Sequence, residues 1–315
     1  MVRTAFVGRL ISAVVTIALV VLLVFGIVDA LADPAALALG QDAAPEELAR
    51  LRAAWGLDRP WGARLAEVFA GLVRMDLGVS RIRGAPVSAL IAGAFLPTLA
   101  YALPGLLLEG IAAIAGGLAM ARRRGGAVDR LLSGLATALM SMSSLIVVIA
   151  AHQLLAHRLA LFPLVGWPLV GSDADVAGLV LLPLLLWAAL LLGPDLRHYR
   201  ALFVRELDEP YLDGLRSRGV PERAVLRHAL RGASAGILAR VAGRLPHLIV
   251  GSVVIEQVFN IPGIGGLAIA ALRTGDLALV EGLAVVLAVI TVAGQLGLDV
   301  LAAAIDPRLR RGGRR

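Results

Sequence analysis

The run from Leu10 to Val28 covers nineteen residues, and only Ser12 and Thr16 interrupt its apolar character. At about 1.5 Å of rise per residue, a helix of that length nearly crosses a hydrocarbon core of about 30 Å. Comparable runs recur at Pro97–Ala121, broken by Pro104 and Glu109, at Leu131–Ala151, and at Val176–Gly193, which Pro194 closes. Two more run from Ala233 to Phe259 and from Leu279 to Ala304. The 315 residues are 59% hydrophobic and 17% charged, with a mean hydropathy of +0.85, which leaves too little polar surface for a soluble domain. A membrane barrel needs strands of about 9–11 alternating residues and aromatic girdles. Here the runs are longer and only 4% of residues are aromatic. The expected fold is therefore an all-α integral membrane protein with six transmembrane helices. Ala30-Leu31-Ala32 resembles a signal-peptide cleavage site. The run before it is longer than a usual signal core and more spans follow, which favours a retained helix.

All 30 basic residues are arginine, and their placement orients the spans. Arg3 and Arg9 precede the first; Arg122, Arg123, Arg124 and Arg130 join the second and third; eight arginines from Arg197 to Arg231 join the fourth and fifth; five follow the sixth. With six spans these all share one side. The other side has nine, seven of them in the long segment after the first span. Long loops weigh less in this comparison, so both termini are expected in the cytoplasm of a multi-pass protein. This divides the chain into a tail and first span (1–31), an extracytoplasmic segment with amphipathic helices (32–93), a five-helix core (94–306) and a basic tail (307–315). In the extracytoplasmic segment, Pro45-Glu46-Glu47 opens one helix, which Gly56 can close, and Pro60 opens another with Trp61, Leu65, Val68, Phe69 and Leu72 on one face.

Missing residue types exclude several functions. Without Cys there are no disulfides, thiolate metal sites or Cys nucleophiles. Without Lys there is no Walker A loop and no Schiff-base chemistry. Any ATP hydrolysis must then occur on another chain. His152 and His157 are five residues apart, off the zinc-helix spacing; His198, His228 and His247 are scattered; no Gly-x-Ser-x-Gly is present. No catalytic residue, metal ligand or cofactor is expected. The formal net charge of +7 sits at the ends of apolar runs without interleaved aromatics, so the expected surface is a lipid bilayer and not nucleic acid.

One element is not explained by topology-setting charge alone. In LRSRGVPERAVLRHALRG (Leu215–Gly232), Gly219 fits the left-handed position that ends a helix running from Glu206 to Ser217. Pro221 and Glu222 then suit the start of a second helix. Val225, Leu226 and Ala229 give it an apolar side, and Arg223, Arg227 and Arg231 line up four residues apart. The result is a compact basic knob over about residues 206–231, either a solvated loop or a docking element.

The segment YLDGLRSRGVPERAVLRHALRG (Tyr211–Gly232) resembles the EAA-type motif of permease subunits in binding-protein-dependent ABC importers. VVIEQVFNIPGIGGL (Val253–Leu267) is similar to that family's external turn after span five, and LDVLAAAIDPRLR (Leu298–Arg310) to its carboxyl end. APEELARLRAAWGLDRP and MDLGVS resemble the segment after span one in the dipeptide, oligopeptide and nickel branch. The chain differs in having Gly214, Leu215 and Gly232 at family Ala, Ala and Asn positions, and Ser141-Met142-Ser143 where a Ser-x-Pro turn is usual. The resemblance implies a type I importer permease in the inner membrane, carrying half of a pathway for a small solute such as a peptide or nickel chelate. It implies as partners cytoplasmic ATPase subunits, a second permease and an extracytoplasmic binding protein. Arg216, Arg218, Gly219, Glu222, Arg223, Arg227 and His228 are the implied ATPase-coupling residues. Glu256, Pro262, Gly263 and Gly265 are the implied external turn.

Glu109, Arg240, Arg244 and His247 form a second candidate site, either part of the translocation path or an intramembrane pair. Arg240, Arg244 and His247 share a face of span five. Glu109 and Arg244 each lie twelve residues from the outer end of their span, Pro97 and Glu256 respectively. That puts both about 18 Å deep at the helical rise, so a Glu109–Arg244 pair is expected. A charge at that depth costs about 2.5–3.5 kcal/mol on insertion scales and should face the bundle interior. Two other classes compete with the permease reading. A secondary active transporter could use Glu109 as a proton site, but no inverted repeat is evident. An intramembrane hydrolase would need a catalytic constellation that the sequence lacks.

Overall fold

A computed structural model describes residues 2–31, 33–40, 44–168, 175–250 and 253–305. Nearly all of its elements are helices. They fall into two units, Met1–Pro97 with Pro262–Ala293, and Thr98–Ile261 with Gly294–Arg315.

The first unit begins with α1 (Val2–Leu31) and the short α2 (Pro34–Leu39), whose first turn is capped by Asp33 accepting the Ala35 N–H at 3.1 Å. Asp33 also pairs with Arg52 of α3 (Pro45–Trp55). Gly56 ends α3 at φ 67°, a left-handed conformation that costs glycine no steric penalty. In α4 (Trp61–Val73), Trp61 stands edge-on to Phe25 at 5.8 Å and Arg64 lies 5.4 Å over the same ring. A two-stranded hairpin follows, β1 (Val79–Ser80) with β2 (Ala85–Pro86), which the apolar periodicity does not signal. The Ser80 hydroxyl donates to Asp276 at 2.5 Å, and both groups are buried.

The second unit takes most of α5 (Val87–Arg122), then α6 (Ala127–Ser141), α7 (Ser144–Ala151) with a π-helical turn at His152–Arg158, α8 (Val176–Leu207), α9 (Pro210–Ser217), α10 (Glu222–Val250) and α11 (Val253–Val258). The chain closes with α12 (Ile264–Thr274) and α13 (Leu277–Ile305). Glycines set how near α5 comes to α8. A Cβ on Gly105 would stand 3.0 Å from the Leu184 carbonyl oxygen, and one on Gly117 would stand 2.7 Å from the Tyr199 Cβ. Small residues permit this approach, which in lipid must draw its energy from packing and hydrogen bonding.

Among the described residues, three helices are long and apolar enough to cross a membrane: Val87–Arg122, Val176–Leu207 and Leu277–Gly297. The pair Ala127–Ser141 and Ser144–Arg158 makes a fourth if counted as one span, bent by 97°. Several sequence expectations need correction. The second run is not broken at Pro104 or Glu109, because α5 passes through both. The fourth does not close at Pro194, because α8 continues to Leu207 through both Pro183 and Pro194. Each proline removes one backbone donor, but in lipid a complete break would leave several polar groups unsatisfied. The third run is not straight. Met142 is extended (φ −92°, ψ 139°), and the helix restarts after Ser143.

Candidate functional site

The knob is built by local chemistry. The first helix expected there, Glu206–Ser217, is two elements: α8 ends at Leu207, and α9 starts at Pro210, whose fixed φ and missing N–H suit a first turn. At the far end of α9 the Gly219 N–H donates to the Arg216 carbonyl at 3.0 Å, and the Val220 N–H to the Leu215 carbonyl at 3.2 Å. That pair of bonds is a Schellman closure and needs a left-handed residue between the helices; Gly219 has φ 75°. Leu212, Val225 and Ala229 are buried together between α9 and α10, with Leu207, Leu215 and Val220 packed on them. Arg216 joins the two helices, bonded to Asp213 at 2.8 Å and 3.7 Å from Glu222, the first residue of α10.

The second knob helix and the fifth apolar run as far as Val250 are one helix, and the end of that run forms the separate α11. α10 continues without interruption from Glu222 to Val250, so the knob shares a rigid rod with Arg240 and Arg244. Arg218, Arg223, Arg227 and His228 are exposed around it. The three arginines make no ion pair with the described residues.

In the apolar part of the unit, Asp195 of α8 gathers the charges. It is 1% exposed. Arg240 Nε donates to it at 2.8 Å and Arg240 Nη2 donates as well; Arg244 donates through Nη2 at 2.5 Å and Nε at 3.2 Å. Glu109 of α5 is 2% exposed and lies one helical turn before Ala113, which packs with Tyr199, one turn after Asp195. The hydrogen bonds of Arg244 thus go to Asp195, while Glu109 Oε1 has no hydrogen-bond partner among the described residues. The side chain of His247 lies outside the described residues. Asp195 follows Pro194, where the span is expected to close, and so falls just outside the expected span. A proline-tolerant reading of the span would have kept it inside.

The turn residues fall in both units. Glu256 of α11 is buried and accepts the Thr98 hydroxyl at 2.8 Å and the Tyr101 hydroxyl at 3.2 Å. Asn260 supplies the left-handed residue after α11 (φ 51°), with the Ile261 N–H closing on the Glu256 carbonyl at 2.8 Å. In the first unit Pro262 is exposed, Gly263 caps α12 in an extended conformation (φ −95°) and Gly265 is buried. Asn260 is not among the expected turn residues, although asparagine can replace glycine at such positions.

The family described as binding-protein-dependent transport system inner membrane component matches residues 113–311, and its companion amino-terminal family matches residues 1–82. A Brucella abortus (strain 2308) protein, provisionally named a peptide transport system permease protein, is 33% identical over 306 residues, 96% of this chain and 97% of the relative. A protein of Pectobacterium atrosepticum named glutathione transport system permease protein is 31% identical over 308 residues, 97% of this chain and 98% of the relative. Its namesake in Salmonella typhimurium is 32% identical over 305 residues, 96% of this chain and 97% of the relative.

Proposed function

The chain belongs to the binding-protein-dependent transport system inner membrane components, as a permease subunit of an ABC importer in the inner membrane, and on that premise we propose that it forms half of a pathway for peptides. Relatives named for peptide and glutathione transport support that cargo class. A second, related permease completes the pathway, a binding protein delivers the solute from outside, and separate ATPase subunits drive the cycle. The absence of lysine supports this division of labour, because the chain has no Walker A loop. The reading retains six spans with both termini cytoplasmic, and the boundaries 1–31, 32–93, 94–306 and 307–315. The matches give no support to a secondary transporter.

The observation that carries the coupling role is the continuity of α10. A Schellman-capped, internally packed knob at one end of a rod can pass displacement into the bundle, whereas a loose loop would absorb it. Arg218, Arg223 and Arg227, in no ion pair among the described residues, present positive charge to an acidic partner surface, with Arg216 and Glu222 holding the two helices and His228 beside them. Closure of the ATPases then biases the permease between its two facing states through contacts that differ between them. Glu256, Pro262, Gly263 and Gly265 shape the external turn.

Two measurements test this. Co-purification of the ATPase with wild type and with Gly219→Val should show loss in the variant, since a β-branched side chain is strained at φ 75°; equal retention with equal transport would refute the docking role. The chain has no cysteine, so Arg218→Cys provides a single label. It should react only from the cytoplasmic face of inverted vesicles, and labelling of intact cells by an impermeant reagent would reverse the topology.

A further inference from the structure

The four intramembrane charges meet because three helices pack in one layer. Ala113 of α5, Tyr199 of α8 and Ala233 of α10 share a buried cluster, with Ile237 packed against it. Glu109 precedes Ala113 by one helical turn, Asp195 precedes Tyr199 by one turn, and Arg240 follows Ile237 by nearly one. The same contacts that seat α10 against α5 and α8 therefore bring its arginines to the two carboxyls. The resulting arrangement is lopsided. Two guanidiniums crowd onto Asp195, while the neighbouring Glu109 keeps one buried oxygen with no donor among the described residues. Arg244 is the more loosely held of the two, since its Nε reaches Asp195 at 3.2 Å where that of Arg240 stands at 2.8 Å, and it is the more buried.

We infer that Asp195 is the positioning residue that ties the lever helix α10 to α8, and that Glu109 is the second acceptor to which Arg244 transfers when α10 tilts. This rests on the coupling role proposed above. Side-chain networks carry coupling between sites when they have two discrete arrangements. Here the second arrangement needs no new group: the oxygen left open in one state receives the guanidinium in the other. Arg240 remains on Asp195 in both, which keeps the helices joined while the register between them changes. The side-chain fork of arginine suits this exchange, because it can leave one carboxylate as it engages the next.

The test uses the whole importer, purified through a tag on this chain and reconstituted in proteoliposomes, with Asp195→Asn and Glu109→Gln. Removing one acceptor favours the arrangement that uses the other. Basal ATP hydrolysis, read without binding protein, should therefore move in opposite directions in the two variants, and cargo imported per ATP should fall about fivefold or more in each. Shifts in the same direction, or none, would overturn the exchange. If Asp195→Asn does not assemble, Arg244→Lys serves: it keeps the charge, loses the fork, and should retain the ATPase while lowering import per ATP. Unchanged import per ATP in that variant would refute the inference. Wild-type chain that brings down no ATPase would instead refute the coupling role itself, so the two failures are distinct.

Discussion

Arg200 grips Asp129 with both arms of its guanidinium: Nε donates to Oδ1 at 2.6 Å and Nη2 to Oδ2 at 2.8 Å. Asp129 lies in the first turn of α6 and also accepts the Gly125 N–H at 2.9 Å, so one carboxylate fixes the α5–α6 turn and pins it to α8. Three residues earlier, Arg197 bonds Thr137 of the same helix at 2.6 Å. At about 100° per residue, Arg197 and Arg200 project within one sector of α8, roughly opposite Asp195. α8 thus holds α6 on one side and α10 on the other, both by polar clamps.

Asp129→Ala should be among the most damaging single changes outside the knob. It leaves Arg200 without its partner and the Gly125 N–H without an acceptor. Charge-assisted bonds of this kind contribute about 1.5–3 kcal/mol, and the one-third exposure of Arg200 places the loss at the lower end. The expected result is a fall in the thermal aggregation midpoint of detergent-purified protein, with Arg200→Ala giving a similar fall and the double variant little more. Additive losses would show that the two residues act separately.

Gly117 and Gly110 provide a matched pair. A Cβ at Gly117 would meet the Tyr199 Cβ at 2.7 Å and the Arg200 nitrogen at 2.9 Å, whereas nothing lies within 4 Å of one at Gly110. Gly117→Ala should therefore push α5 from α8 and destabilise by about 1–3 kcal/mol, as overpacked sites do. Gly110→Ala should be neutral or slightly stabilising through helix propensity. Thermal midpoints of the two variants, measured side by side, check the contrast; equal effects would contradict the close approach.

Features with a local cause were legible in the sequence. Gly219 and Gly56 ending helices, Glu222 opening α10 and the apolar runs themselves follow from one or two turns of chain. What escaped depended on tertiary packing. The helix passes Pro194 because α6 and α10 hold both sides of α8, and no local propensity carries that information. Asp195 was lost with it. The depth estimate placed Glu109 and Arg244 in the same layer, but it could not see that a third residue from another helix would take the guanidinium. The hairpin at Val79–Pro86 has strands of two residues each, too short for a period-two pattern to register.

Asp208, just beyond the end of α8, sets a pH signature. Arg124 donates to both of its carboxylate oxygens at 2.9 Å, and these bonds hold its carboxyl below the ordinary carboxylate value. A group with a depressed native pKa stabilises the fold above its unfolded-state value, and that contribution is lost as pH falls through the native one. The stability difference between wild type and Asp208→Asn should therefore be constant from about pH 6 to 8 and should shrink only below about pH 4. Thermal scans across that range measure it. A difference that changes near neutrality would assign the dependence to another group.

The bend between α6 and α7 allows a stabilising change. Ser143 has φ −63° and ψ 130°, close to the φ that proline fixes, and Met142 before it is extended, as a residue preceding proline must be. The Ser143 side chain makes no capping bond at the start of α7. Ser143→Pro restores the Ser-x-Pro pattern of the resembling family at a backbone already shaped for it. It removes freedom mainly from the unfolded chain, so the expected gain is about 0.4–1 kcal/mol. The thermal midpoint should rise by roughly 1–4 °C with transport unchanged. Two other outcomes are possible: the Ser143 N–H is needed as a donor, or the bend must straighten during the cycle. Transport separates these: a lower midpoint with normal turnover points to the lost donor, and a normal midpoint with lost turnover points to a moving hinge.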